Sequence, residues 1–134
     1  MWTQFLLNNK GIHTIFSKIP SLNEVEIFAL NFDRNCSSLN MVVELKDYPI
    51  HPPKKWVASK YNTVQLVFSL IDISHIELSS WNTENYVSIK IEKSNDRLLL
   101  ETLGNIKLKV GFGFLDLKKI SAYQKNPLLK SKKI

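Results

Sequence analysis

The chain has 134 residues, 44% apolar, 22% charged and 10% aromatic, enough for one core of ordinary size and too few for two. The mix is far from the low-hydrophobicity, high-charge signature of disorder. Its formal charge of +6 resides in Lys118, Lys119, Lys125, Lys130, Lys132 and Lys133, all beyond the last acid, Asp116; without them 12 bases meet 12 acids, so charge gives no case for nucleic-acid binding.

In chain order, Ile12, Ile15, Phe16 and Ile19 stand at i, i+3, i+4 and i+7, one face of a short helix between Asn9 and Ile19. Pro20 ends it, because proline disfavours helical backbone in the residue before it. A helix this short persists only when its stripe lies on a sheet. From residue 24 the period changes to two. Val25 and Ile27 oppose Glu24 and Glu26, and then Phe28, Leu30 and Phe32 take over, so either both faces are covered or a bulge intervenes. A turn cluster over residues 33–37 joins this strand to Leu39, Met41, Val43 and Leu45, which reads as a hairpin.

Pro49, Pro52 and Pro53 make residues 48–53 an extended loop leading into Lys54, Lys55 and Trp56. Val64, Leu66, Phe68 and Leu70 alternate along the longest strand, and Ile73, Ile76 and Leu78 continue strand up to Trp81. Further strands follow around Val87, Ile89 and Ile91, over 98–103, and around Ile106 to Phe114; the segment 119–123 fits strand or helix. Gly111 and Gly113 inside a strand mark a bend or the close approach of another segment. About seven or eight strands with turn signals every 8–12 residues predict a mainly β (or α+β) fold with one short N-terminal helix. The expected form is an antiparallel meander closed as a β-sandwich or flattened barrel. The expected organisation is one domain over 1–124 and a lysine-rich tail over 125–134 that solvates a frayed, disordered end. No secretory signal or membrane-length apolar run is visible, so the expected compartment is the cytoplasm and no membrane partner is expected.

The residues that could carry chemistry are scattered. His13, His51 and His75 have no metal-ligand spacing. Cys36, the single cysteine, excludes an internal disulfide and a cysteine-based zinc site, and as a lone thiol in a turn it has no base beside it in sequence. No metal, cofactor or catalytic residue is therefore expected. Glu24 and Glu26, two apart on one strand, keep a second reading open: a small-ligand-binding β-barrel or an enzyme using this carboxylate pair. Lys54, Lys55, Trp56 and Trp81 are the candidates for contact with a protein partner, where tryptophan concentrates binding energy.

Five segments in order carry a resemblance: residues 20–27 (Pro20 to Ile27), Pro52-Pro53-Lys54-Lys55-Trp56, Tyr61 to Phe68, His75 to Trp81, and Ile120-Ser121-Ala122-Tyr123. Over roughly residues 2–124 the chain resembles the immunity protein 50 family of bacterial polymorphic-toxin loci. The resemblance implies a small, non-enzymatic cytosolic protein that binds a cognate toxin domain and protects the producing cell. It carries no catalytic motif over to any residue. An unpaired edge strand would also leave a homodimer by strand addition open.

Overall fold

A computed structural model describes residues 1–126. After a 3-10 turn at Trp2–Phe5 come helix α1 (Lys10–Ile15), strands β1 (Val25–Asp33) and β2 (Ser38–Glu44), and helix α2 (Lys54–Ala58). Strands β3 (Thr63–Ile71), β4 (His75–Ser79), β5 (Tyr86–Ser94), β6 (Arg97–Gly104), β7 (Lys107–Phe112) and β8 (Phe114–Tyr123) complete the fold. The stripe predicted for the helix is the face α1 and its flanks bury: Ile12 and Phe16 are in the core, with Ile15 and Ile19 half-buried against it. The irregularity expected in β1 is a bulge between Ile27 and Ala29, and the undecided segment 119–123 is the end of β8.

The eight strands form one sheet in the order β4-β7-β6-β5-β1-β2-β3-β8, with every ladder antiparallel. The β-rich, antiparallel expectation holds, but the sheet is open: the ladder shows neither the closure of a barrel nor the two separate sheets of a sandwich. It is not a simple meander either. The short links at residues 72–74 and at Gly113 have hairpin length, yet each joins strands six places apart in the sheet. In a flat sheet six spacings amount to about 28 Å, whereas the link between Ile71 and His75 reaches at most about 14 Å. The sheet therefore coils until its two ends meet at a corner.

Hydrogen bonds fix that corner. Gly113 N donates to Ile71 O and Ser74 N to Gly111 O, both at 2.8 Å, and Ile73 N donates to Ser37 O at 3.0 Å. Thus β3–β4 and β7–β8 run as one bent two-stranded ribbon, with Ile71 opposite Phe114 on one side of the bend and His75 opposite Gly111 on the other. A β-carbon on Gly113 would lie 2.9 Å from Asp72 Oδ2, so the close approach expected at these glycines is that of the ribbon's own other strand.

The inner face of the coil holds the core. Leu39, Met41, Val43, Leu66, Phe68, Leu100, Val110 and Phe112 are buried there, and α1 and Leu6 close one side. Trp2 stands edge-on to Phe68, ring centres 5.5 Å apart, and its indole N–H donates to Pro20 O at 2.8 Å. Of the expected tail, Lys125 is fastened to the sheet: its N–H donates to Asn62 Oδ1 at 2.8 Å, and Asn62 Nδ2 returns a bond to its carbonyl at 3.0 Å. Residues 127–134, where the rest of that expectation falls, lie outside the described residues.

Candidate partner-binding surface

The proline loop ends in a helix that the sequence reading missed. Pro53 stands at its start, and its carbonyl accepts from Trp56 N at 2.9 Å and Val57 N at 3.2 Å, so the fixed φ of proline opens the turn instead of breaking it. This short helix, α2, points Lys54 and Lys55 into solvent and turns Trp56 inward. Trp56 is half-buried against the core, tilted against Tyr48 with ring centres 6.2 Å apart.

Trp81 has the opposite setting. It follows β4 after Ser80, whose φ of +68° turns the chain, and precedes a loop locked by Asn82 and Asn85: Asn82 N donates to Asn85 Oδ1 at 2.8 Å and Asn85 Nδ2 to Asn82 O at 2.7 Å. Trp81 itself is 46% exposed. The four expected contact residues thus form two groups at opposite ends of the β3–β4 run: α2 leads into β3, and Trp81 follows β4.

Strand β4 is exposed along its whole length. Its inner residues Ile76 and Leu78 stand opposite Val110 and Leu108, both buried, yet each remains 40% exposed. On the outer face a row of alternating charge crosses four strands: Lys90 of β5 is opposite Glu101 of β6, Glu101 opposite Lys109 of β7, and Lys109 opposite Glu77 of β4. His75 Nε2 lies 2.8 Å from Glu77 Oε2; that hydrogen bond and the imidazole's charge, with Lys109 adding less, hold the Glu77 carboxyl below the usual carboxylate range. A shallow hollow of about 660 Å³ opens beside this row, lined by Glu77, Leu78, Glu101, Leu103 and Lys109 among others. Leu103 is 81% exposed at its rim. These apolar residues were not singled out from sequence, although strict alternation along 98–104 already sets Leu103 on the face away from Leu100.

The carboxylate pair expected at Glu24 and Glu26 is split. Glu24 precedes β1 with φ +53° and pairs with Lys46 in solvent. Glu26 is buried, and its cross-strand neighbour is Glu44 of β2. Glu44 is tied on both oxygens, to the Tyr123 hydroxyl and the Lys125 ammonium. Burial pushes the Tyr123 phenol up, and the bond to Glu44 pushes it further, so this group is a hydrogen-bond donor and no base at neutral pH. Among the described residues no group of three or more His, Cys, Asp and Glu side chains is placed to hold a metal ion. No helix among them is long and apolar enough to cross a membrane.

Comparison with protein-family models matches residues 8–123 to the family described as immunity protein 50. The chain belongs to that family. Neither the curated proteins nor the solved structures gave a match. Immunity proteins act on toxins, so for this member of the immunity protein 50 family the geometry that matters is the surface it offers to another protein. Some of its charged side chains pair with one another, Glu24 with Lys46, Glu44 with Lys125, Asp72 with Arg97, and Ile76, Leu78, Trp81 and Leu103 are among the apolar side chains that face solvent.

Proposed function

We propose that this immunity protein neutralises the toxin domain of its own polymorphic-toxin system by binding it one to one in the cytoplasm, with no chemistry of its own. Family membership supports a toxin as the target. The observation that carries the binding reading is the sheet end at β4, where inner-face residues that are buried on β7 continue as exposed Ile76 and Leu78 beside Trp81. Exposed aromatic and aliphatic side chains grouped at one place mark interaction surfaces more often than scattered ones do. Trp81 sits in the proposed contact surface, with Lys54 and Lys55 as a second contact on α2 and Trp56 holding that helix in place.

Co-expression with the toxin domain encoded beside the gene tests this reading. Surviving cells and a one-to-one complex in size-exclusion chromatography are the expected result. Cell death with no complex overturns it.

A further inference from the structure

The two ends of the sheet are treated differently. At β8 the outer edge is guarded: Leu6 bridges to Leu115, Leu7 N donates to Leu115 O at 2.9 Å, and Gly11 of α1 lies 3.6 Å from Ile120 when given a β-carbon. At β4 no strand or helix among the described residues pairs with the outer edge. An edge strand presents alternate unpaired N–H and C=O groups that another chain's strand can complete.

The side chains at that edge specify what would complete it. The outer-face row runs Lys90, Glu101, Lys109, Glu77, alternating in sign at every step, and it stops on an acid. The next position in the row calls for a base, since opposite charges directly across a pair of strands stabilise and like charges destabilise. On the inner face the row of Leu100 and Val110 stops at Ile76, and Leu108 stops at Leu78, each still 40% exposed. The next strand therefore calls for apolar residues on either side of that base. We infer that β4 is the docking edge for an extended segment of the toxin domain with the alternation apolar–basic–apolar, its basic residue opposite Glu77. This rests on the toxin-binding reading above and names its contact.

A second copy of the chain fits poorly. Strand β4 carries no lysine or arginine. Two-fold pairing centred on Glu77 sets Glu77 against Glu77. Centring on Ile76 sets His75 against Glu77 but requires Ser74 at the corner, and centring on Leu78 requires Ser80, whose φ of +68° takes it out of extended backbone; both lie outside β4.

Hydrogen exchange on the purified complex, against the free protein, tests the inference. Amides 75–79 are expected to slow by about tenfold or more on binding. Glu77→Lys is expected to weaken the complex about tenfold and Glu77→Gln about 2- to 5-fold, and an acid in place of the toxin's basic residue is expected to restore binding to the Glu77→Lys protein. Protection on residues 28–33 or on α2 with 75–79 unchanged overturns the docking edge and leaves toxin binding standing. A dimer of the free protein that itself protects 75–79 overturns it in favour of a second copy. Absence of any complex and of rescue by the unaltered protein overturns both readings. Exchange on the unaltered complex decides the matter even if a Glu77 variant folds badly.

Discussion

Arg97 of β6 holds Asp72 at the corner between β3 and β4. Its Nη1 donates to Asp72 Oδ2 at 3.0 Å and its Nη2 to the carbonyl of the same residue. Asp72 has φ +63°, a left-handed conformation that costs most residues about 1–2 kcal/mol and that Asn and Asp tolerate best. Asp72→Asn keeps that tolerance and an acceptor for Arg97, so its unfolding midpoint is expected to stay close to that of the unaltered protein. Asp72→Ala loses both and is expected to cost about 1–2 kcal/mol. Equal midpoints for the two variants in urea unfolding would show that the corner does not depend on this residue.

The same corner marks the limit of what the sequence discloses. A period of two reports which residues share a face, and it located the inward sets of β2, β3 and β7 correctly; on β1 it holds for Val25 and Ile27, but past the bulge Phe28 and Phe32 are exposed. It does not report which strand lies beside which. A three-residue link between two alternating runs reads as a hairpin turn whether the chain doubles back or bends across a coil, and only hydrogen bonds such as Gly113 N to Ile71 O distinguish them. Glu26 shows the same limit on one side chain. Alternation set it opposite Val25 and Ile27, on the face expected to be solvated; it is buried where Glu44 stands across from it and where Tyr123 and Lys125, 79 and 81 positions beyond Glu44, bond to that carboxylate. Local pattern has no access to that contact. Of the candidate surface, Trp56 and Trp81 were visible as tryptophans, but their opposite exposures depend on α2 and on the end of β4.

Gly104 is a sharper steric test than Gly113. Its φ is +149°, and a β-carbon there would lie 2.3 Å from the carbonyl oxygen of Tyr86, a backbone atom with no freedom to move aside. Gly104→Ala must shift β5 away from β6 at the Val87–Gly104 pair. Its expected cost is about 2–4 kcal/mol, combining overpacking with backbone strain. Gly113→Ala meets an Asp72 side chain and is expected to cost about 1–2 kcal/mol. Chemical denaturation of both variants checks the order, and a milder Gly104 variant contradicts it.

Alkaline pH is expected to loosen the C-terminal fastening. The Tyr123 phenol is raised in the folded protein, chiefly by burial and then by Glu44. Its contribution to stability is whole below the unfolded value of about 10 and is lost as pH rises beyond it, because the folded state then holds a proton that the unfolded state has released. The limit for one proton is about 1.4 kcal/mol per pH unit, and partial solvent access lowers it. Tyr123→Phe is expected to show a shallower decline above pH 10 than the unaltered protein. Near neutral pH it loses about 1–3 kcal/mol, because Glu44 then keeps only Lys125. Parallel slopes for the two proteins above pH 10 would contradict this.

The two tryptophans at the proposed surface are expected to separate stability from binding. Trp56 packs on the core and on Tyr48, so Trp56→Ala removes a half-buried ring. Its expected cost is about 2 kcal/mol, below the ~3–5 kcal/mol of a fully buried aromatic. Trp81 is exposed beyond the end of β4, and Trp81→Ala is expected to move the unfolding free energy by no more than about 0.5 kcal/mol. In toxin binding the order reverses. A central interface tryptophan costs about 2 kcal/mol or more on truncation, so Trp81→Ala is expected to weaken the complex at least about 30-fold. Trp56→Ala, once folded, is expected to bind within a few-fold of the unaltered protein. Urea unfolding and titration calorimetry on the same two variants read both quantities. A Trp81 variant that binds the toxin normally would remove that side chain from the interface, whatever the fate of the β4 edge.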